Sequence, residues 1–217
     1  MTGIYFDNSA TTPLLPQLLS FYRKAIEEFW GNPSSIHTEG RKARLALEQA
    51  RFNIAGMLNC SPEEIFFTST ATEALNTIIT GIDTSKKFSA IISTPVEHSA
   101  ILNPLARLKN LPCFYVRVKS NGDIDTDHLY DVCKKNRGSI FIAALGNNEI
   151  GNTLPLSTIL KIMEETDCFL ALDCVQCWGK MKFSISHQRI LYATGSSHKF
   201  HGPKGAAFFV MKKEGII

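Results

Sequence analysis

A chain of 217 residues is long enough for one sizeable α/β domain with a well-buried core. With 44% hydrophobic and 20% charged residues it has the composition of an ordinary globular protein, which excludes disorder, coiled coil and collagen. The net charge of +3 is scattered along the chain and not gathered in a stripe, so a nucleic-acid partner is not expected, and no apolar run approaches the ~20 residues of a membrane helix.

Residues 1–40 read as an N-terminal arm. Turn chemistry at Asn8, Pro13, Pro16 and Gly31-Asn32-Pro33 surrounds one helix, and residues 41–217 read as the main domain. The start at Met1 reaches Asp7 before an apolar leader could develop, so a cytoplasmic protein is expected. Ala43, Leu47, Ala50, Ile54 and Leu58 recur at spacings of three and four and predict a helix.

A strand is predicted over 65–69, followed by a helix carrying Leu75, Ile78, Ile79 and Ile82. Further strands are predicted over 90–94, 113–118, 139–145, 168–173, 191–196 and 205–211, with a helix from about Pro155. Most are continuous apolar runs, the pattern of strands covered on both faces by helices. The last two, joined through Gly202-Pro203-Lys204-Gly205, fit an antiparallel pair. The expected fold class is α/β with a seven-stranded, mostly parallel sheet. Of the six cysteines only Cys174 and Cys177 form a CxxC; a zinc site would want a second such pair, so reduced structural thiols and no metal are expected.

In such sheets ligands bind beyond the carboxyl ends of the strands, and polar residues follow those ends here in a set. Ala71 and Thr72 follow the first strand, where free backbone N–H groups at a helix start favour a phosphate; a plain helix N-cap is the alternative for Thr72. Glu97 and His98 follow the second, His98 being placed either to lie against an aromatic ring or to cap a helix. Asn148 follows the fourth. Asp173 ends the fifth, with Gln176 close behind, and a carboxylate emerging from an apolar strand needs a cation: a protonated pyridine nitrogen would serve, and so would a loop to cap. Ser196, His198 and Lys199 close the sixth. There partial burial and a neighbouring cation would suit the lysine to Schiff-base chemistry, whereas a lone lysine is usually a solvated charge. GxGxxG, GxxxxGK[ST] and HExxH are absent, which argues against dinucleotide, P-loop and zincin readings.

Together with YFDNSATTP from Tyr5, GNPSSIH from Gly31, FTSTATE from Phe67, VEH from Val96, NNEIG from Asn147, DCVQ from Asp173 and SSHK from Ser196, the chain resembles the cysteine desulfurases of the NifS/IscS type. These belong to the class V aminotransferase group of fold-type I pyridoxal 5′-phosphate (PLP) enzymes. The resemblance implies that Lys199 forms the Schiff base with PLP and moves the substrate α-proton, and that Asp173 pairs with the pyridine nitrogen. Gln176 and Asn148 would lie near the phenolic oxygen, and His98 would stack on the ring and share in acid–base steps. Thr72, Ser196, His198 and the backbone around Ala71 would hold the phosphate. It further implies a homodimer, L-cysteine as substrate with L-alanine as product, sulfur passed to an enzyme thiol, and a sulfur-acceptor or iron–sulfur scaffold protein as partner. The same motifs admit another class V reaction, selenocysteine lysis or transamination, or a non-catalytic PLP-binding subunit.

This sequence departs from the family in three ways. It stops at Ile217, before the small C-terminal domain that carries the acceptor cysteine and an arginine for the substrate carboxylate. Ala71 stands where the phosphate turn usually has glycine, and Cys174 and Cys177 stand where small or hydroxyl residues are common. Cofactor binding with little or no persulfide formation is therefore expected.

Overall fold

The structure, a computed structural model, describes residues 3–215. The first two residues of the expected arm and the last two of the expected main domain lie outside that range. The arm leads into α1 (Pro16–Glu28) and α2 (Thr38–Leu58), after which strands and helices alternate. In chain order these are β1 (Ile65–Thr68), α3 (Ala71–Ser85), β2 (Ile91–Ser93), α4 (Ser99–Leu105), β3 (Cys113–Tyr115) and α5 (Thr126–Lys135). They are followed by β4 (Ile140–Ala144), α6 (Leu156–Thr166), β5 (Phe169–Asp173), β6 (Ile190–Ser196) and β7 (Ala207–Met211).

All seven strands join one sheet in the order β1-β7-β6-β5-β4-β2-β3. Only β7 runs against the others, pairing antiparallel with β6 on one side and β1 on the other. The antiparallel hairpin expected at Gly202 to Gly205 is present, and its turn needs the positive φ of 80° at Gly205.

The apolar runs divide between two faces as a two-residue period requires. Ile140 and Ile142 of β4 face a core filled by Leu75, Ile78, Ile79 and Ile82 of α3 and by Ile101 and Leu105 of α4. Phe141 and Ala143 face the opposite core, filled by Ala55 of α2, Leu129 and Cys133 of α5, and Ile159 and Met163 of α6. Burying both faces is what makes these strands read as continuous hydrophobic runs.

The helix expected from about Pro155 begins one residue later, with Pro155 at its N-cap. α2 opens at Thr38, so its first turn falls inside the expected arm; Gly40 lies there because a Cβ would stand 2.5 Å from Ser35 O and 2.7 Å from Asn32 O. No helix among the described residues is long and apolar enough to cross a membrane.

Candidate active site

The carboxyl ends of the parallel strands open onto a cavity of about 800 Å³. Ala71, Thr72, His98, Asn148, Asp173, Gln176, Ser196, His198 and Lys199 all line it, so the nine expected cofactor residues converge on one place, whereas Glu97 lies beside it.

The helix-cap alternative for Thr72 does not hold. The N-cap of α3 is Thr70, whose hydroxyl oxygen accepts from Glu73 N at 3.1 Å, while the Glu73 carboxylate accepts from Ser69 N at 2.9 Å. The Thr70-x-x-Glu73 pattern that builds this cap was visible in the sequence. With the cap two residues upstream of Thr72, Ala71 and Thr72 occupy the first turn of a 15-residue helix and bring free N–H groups and the positive dipole end to the cavity. Across the cavity Ser196 is buried, and no side-chain hydrogen bond engages its hydroxyl among the described residues.

For His98 the helix-cap reading holds, and the capping ring still lines the cavity. Its Nδ1 accepts from Ala100 N at 3.0 Å and caps α4, so the neutral ring carries its proton on Nε2 while lining the cavity.

Asp173 closes β5 and is buried. Burial pushes its pKa up, against hydrogen bonds from Val175 N at 3.0 Å and Thr194 Oγ1 at 3.2 Å. Both bonds land on Oδ1, which leaves Oδ2 for a cationic or N–H ligand in the cavity. Thr94 and Ala144 hold a second buried carboxylate nearby, that of Glu97.

The arm reaches further into the site than its sequence suggested. Lys199 Nζ donates to the carbonyls of Ser9 at 2.6 Å and Ala10 at 2.9 Å. Gln176 Nε2 donates to Ser9 O at 2.8 Å, and its Oε1 accepts from Lys180 Nζ at 2.9 Å. His198 Nδ1 lies 3.0 Å from Thr11 Oγ1. Partial burial, with the nearby Lys180 charge, lowers the Lys199 pKa despite Asp173 and Asp7. Burial also lowers His198, aided by Lys199 and Lys204. Asn148 bonds its neighbour Glu149 at 2.8 Å and otherwise faces the cavity.

The cavity thus offers a helix N-terminus with a free hydroxyl opposite, which suits a phosphate; a buried carboxylate with an open oxygen, which suits a protonated ring nitrogen; and an amine of depressed pKa, which suits a carbonyl. That donor set fits PLP. All six cysteines are free, and no group of His, Cys, Asp or Glu among the described residues could hold a metal.

Comparison with known proteins agrees with this chemistry. The family described as aminotransferase class-V matches residues 4–216. The chain is 36% identical over 215 residues to a protein named cysteine desulfurase IscS from Dictyoglomus turgidum, covering 97% of this chain and 54% of that one. It is 37% identical over 207 residues to a mitochondrial cysteine desulfurase of Candida albicans, covering 93% of this chain and 42% of that one. A solved structure titled NifS-like protein superposes with a TM-score of 0.92 at 35% identity, covering 99% of this chain and 60% of that one. Another, titled SspA in complex with cysteine, gives 0.88 at 28% identity over 97% of this chain and 62% of that one. The chain spans about half the length of the curated relatives it matches.

Proposed function

The chain belongs to the aminotransferase class-V family, a PLP-dependent group, and we propose that it is the cofactor-binding part of a cysteine desulfurase. The observation that carries the reading is the cavity itself: an amine of lowered pKa, a buried carboxylate with a free oxygen and the N-terminus of α3 line one space. Bound there, PLP supplies an electron sink for bond breaking at the α-carbon of an amino acid.

The residues around it divide the work. Asp173 Oδ2 would hold the proton on the ring nitrogen, and that cation would offset the carboxyl's own raised pKa. Ala71 N–H, Thr72, Ser196 and His198 would hold the phosphate. Asn148 and Gln176 would serve the phenolic oxygen, Gln176 with one amide hydrogen left after its bond to Ser9 O. Lys199, whose amine is held by the Ser9 and Ala10 carbonyls, would be the group to hold the cofactor's carbonyl carbon and to move the proton at the substrate α-carbon, and its lowered pKa raises the neutral fraction that the first task needs. His98 would face the ring and could donate a proton through Nε2, since the Ala100 N–H occupies Nδ1.

L-cysteine as substrate is supported by the names of the similar proteins and the cysteine in one similar structure, and we take L-alanine as product and a thiol as sulfur acceptor with it. A sulfur-acceptor or iron–sulfur scaffold partner, a homodimer and a cytoplasmic setting belong to the same proposal and rest on the family resemblance of the sequence. We place the arm at 1–40 and the cofactor domain at 41–217. A second reading, a PLP-binding chain without desulfurase turnover, is favoured by the cysteines: the two nearest the cavity, Cys174 and Cys177, are buried and their pKa values are raised.

Borohydride reduction of the PLP-loaded protein followed by peptide mapping tests the cofactor site. The label is expected on Lys199, and Lys199→Ala is expected to remove both the label and the visible absorbance band. Labelling of another lysine in the wild type would overturn the assignment.

A further inference from the structure

Glu97 is a buried carboxylate beside the site that the cofactor contacts above leave unused. Its Oε1 accepts from Thr94 Oγ1 at 2.7 Å, and its Oε2 accepts from Ala144 N at 2.8 Å. Thr94 directly follows β2, whereas Ala144 is the last residue of β4, the strand beside it in the sheet. The side chain therefore ties the turn leaving β2 to the end of β4. The next residue is His98, which enters the cavity from that turn and caps α4. Ala144 is also the register partner of Asp173 on β5.

We propose that Glu97 is a positioning residue of this site: it seats His98 through the strut to β4, and it sets the electrostatic surroundings of the cofactor through Asp173. The second half rests on the cofactor reading, whereas the first does not.

An aliphatic residue could pack the turn, and a neutral amide could make both hydrogen bonds. The carboxylate does something neither can. Glu97 is buried with a like charge facing it, Asp173 of β5; His98 is the titratable neighbour on its own turn. Burial, opposed by the bonds from Thr94 and Ala144 and increased by Asp173, pushes the Glu97 pKa up to about 7. Its charge therefore changes within the working pH range. Ionised Glu97 adds negative charge beside Asp173 and favours the protonated, cationic form of a ring bound there; protonated Glu97 does not.

Two substitutions separate strut from charge. In Glu97→Gln the amide oxygen can accept from Ala144 N and the amide nitrogen can donate to the Thr94 hydroxyl, so the strut persists without the charge. In Glu97→Ala both are lost. In cofactor-free protein, the His98 ring C–H resonances should stay close to wild type in Glu97→Gln and move in Glu97→Ala. In PLP-loaded protein, Glu97→Gln should keep cofactor affinity within about twofold while the pH midpoint of the visible band moves down by about 0.5–1 unit. Glu97→Ala should weaken cofactor affinity about tenfold or more.

His98 resonances unmoved in Glu97→Ala would overturn the strut, and a wild-type midpoint in Glu97→Gln would overturn the charge. A role confined to stability would lower Tm in Glu97→Ala and leave these readings unchanged, which overturns both. A wild-type chain without a Lys199-bound cofactor would defeat the cofactor reading and the charge effect, while the resonances still decide the strut.

Discussion

Each cysteine can be judged by two requirements for accepting sulfur, exposure and thiolate character. Cys174 is buried with its pKa well raised by desolvation, and Cys177 is buried with its pKa pushed up to about 11 by the same cause. Burial also raises Cys60 and Cys113. The one thiol pushed down is Cys168, by its buried neighbour Cys133, and its Sγ is engaged by the carbonyl oxygens of Cys133, Asn136 and Thr166. Cys168 is buried and stands just before β5, at the opposite end of that strand from Asp173. No thiol meets both requirements at the cavity. The purified 217-residue chain, given PLP and L-cysteine, is therefore expected to make at most about one equivalent of persulfide or sulfide, with no loss on changing Cys174 or Cys177 to serine. Sustained turnover that disappears with either substitution would show that one of them serves as acceptor.

Among the elements, α3 is tied to the chain that follows α4 by one side chain. Asp83, buried on α3, accepts from the backbone N–H groups of Lys109 at 3.0 Å, Asn110 at 2.9 Å and Leu111 at 2.9 Å, and from Asn110 Nδ2 at 3.2 Å. Desolvation works to raise its pKa, but the bonds from Lys109, Leu111 and Asn110 together outweigh it and leave the pKa below its ordinary value. A carboxylate lowered in the folded state adds stability above its unfolded pKa of about 3.9, and that stability is lost as pH falls through the lower folded value. Asp83→Ala should cost about 2 kcal/mol at neutral pH, shrinking below about pH 4. Thermal unfolding of both proteins from pH 3 to 7 measures this, and a gap that does not narrow in acid would count against it.

The same elements show what sequence could and could not convey. Ile140 to Ala144 reads as a strand because both faces are buried, and α3 reads as a helix because Leu75, Ile78, Ile79 and Ile82 point one way. α4 escaped notice because it is only Ser99–Leu105 and contains Pro104. β3 ends at Tyr115, short of the expected Val118, because it is the sheet's outer strand with one neighbour, and Phe114 and Tyr115 are exposed. The site residues were legible because strand ends are local features. Bonds such as Lys199 to Ser9 join positions 190 apart, and nothing in residue spacing predicts them. Glu97 was visible beside His98, but its strut to Ala144 depends on sheet order, which brings β2 next to β4.

At the scale of the whole molecule, the apolar side chains left in solvent are concentrated in the first three elements. Phe6 of the arm is 89% exposed, α1 buries no residue although it carries Leu19, Phe21, Tyr22 and Ile26, and on α2 Leu45 and Phe52 are 72% and 63% exposed. Scattered exposed leucines are ordinary, but a 13-residue helix with no buried face gains little from its own hydrogen bonds and needs a partner surface. Leu45 and Phe52 are seven apart and share one side of α2, as a surface that meets another chain requires. Two-fold pairing of this chain through α2 would bury that side on both copies at once. Light scattering is expected to give about twice the 24.1 kDa of the chain. Leu45→Glu with Phe52→Glu is expected to give the monomer with Tm lowered by a few degrees at most, because neither side chain belongs to a core. A wild-type chain that stays monomeric at tens of micromolar, or a double variant that still pairs, would show that this face of α2 is not where two copies meet.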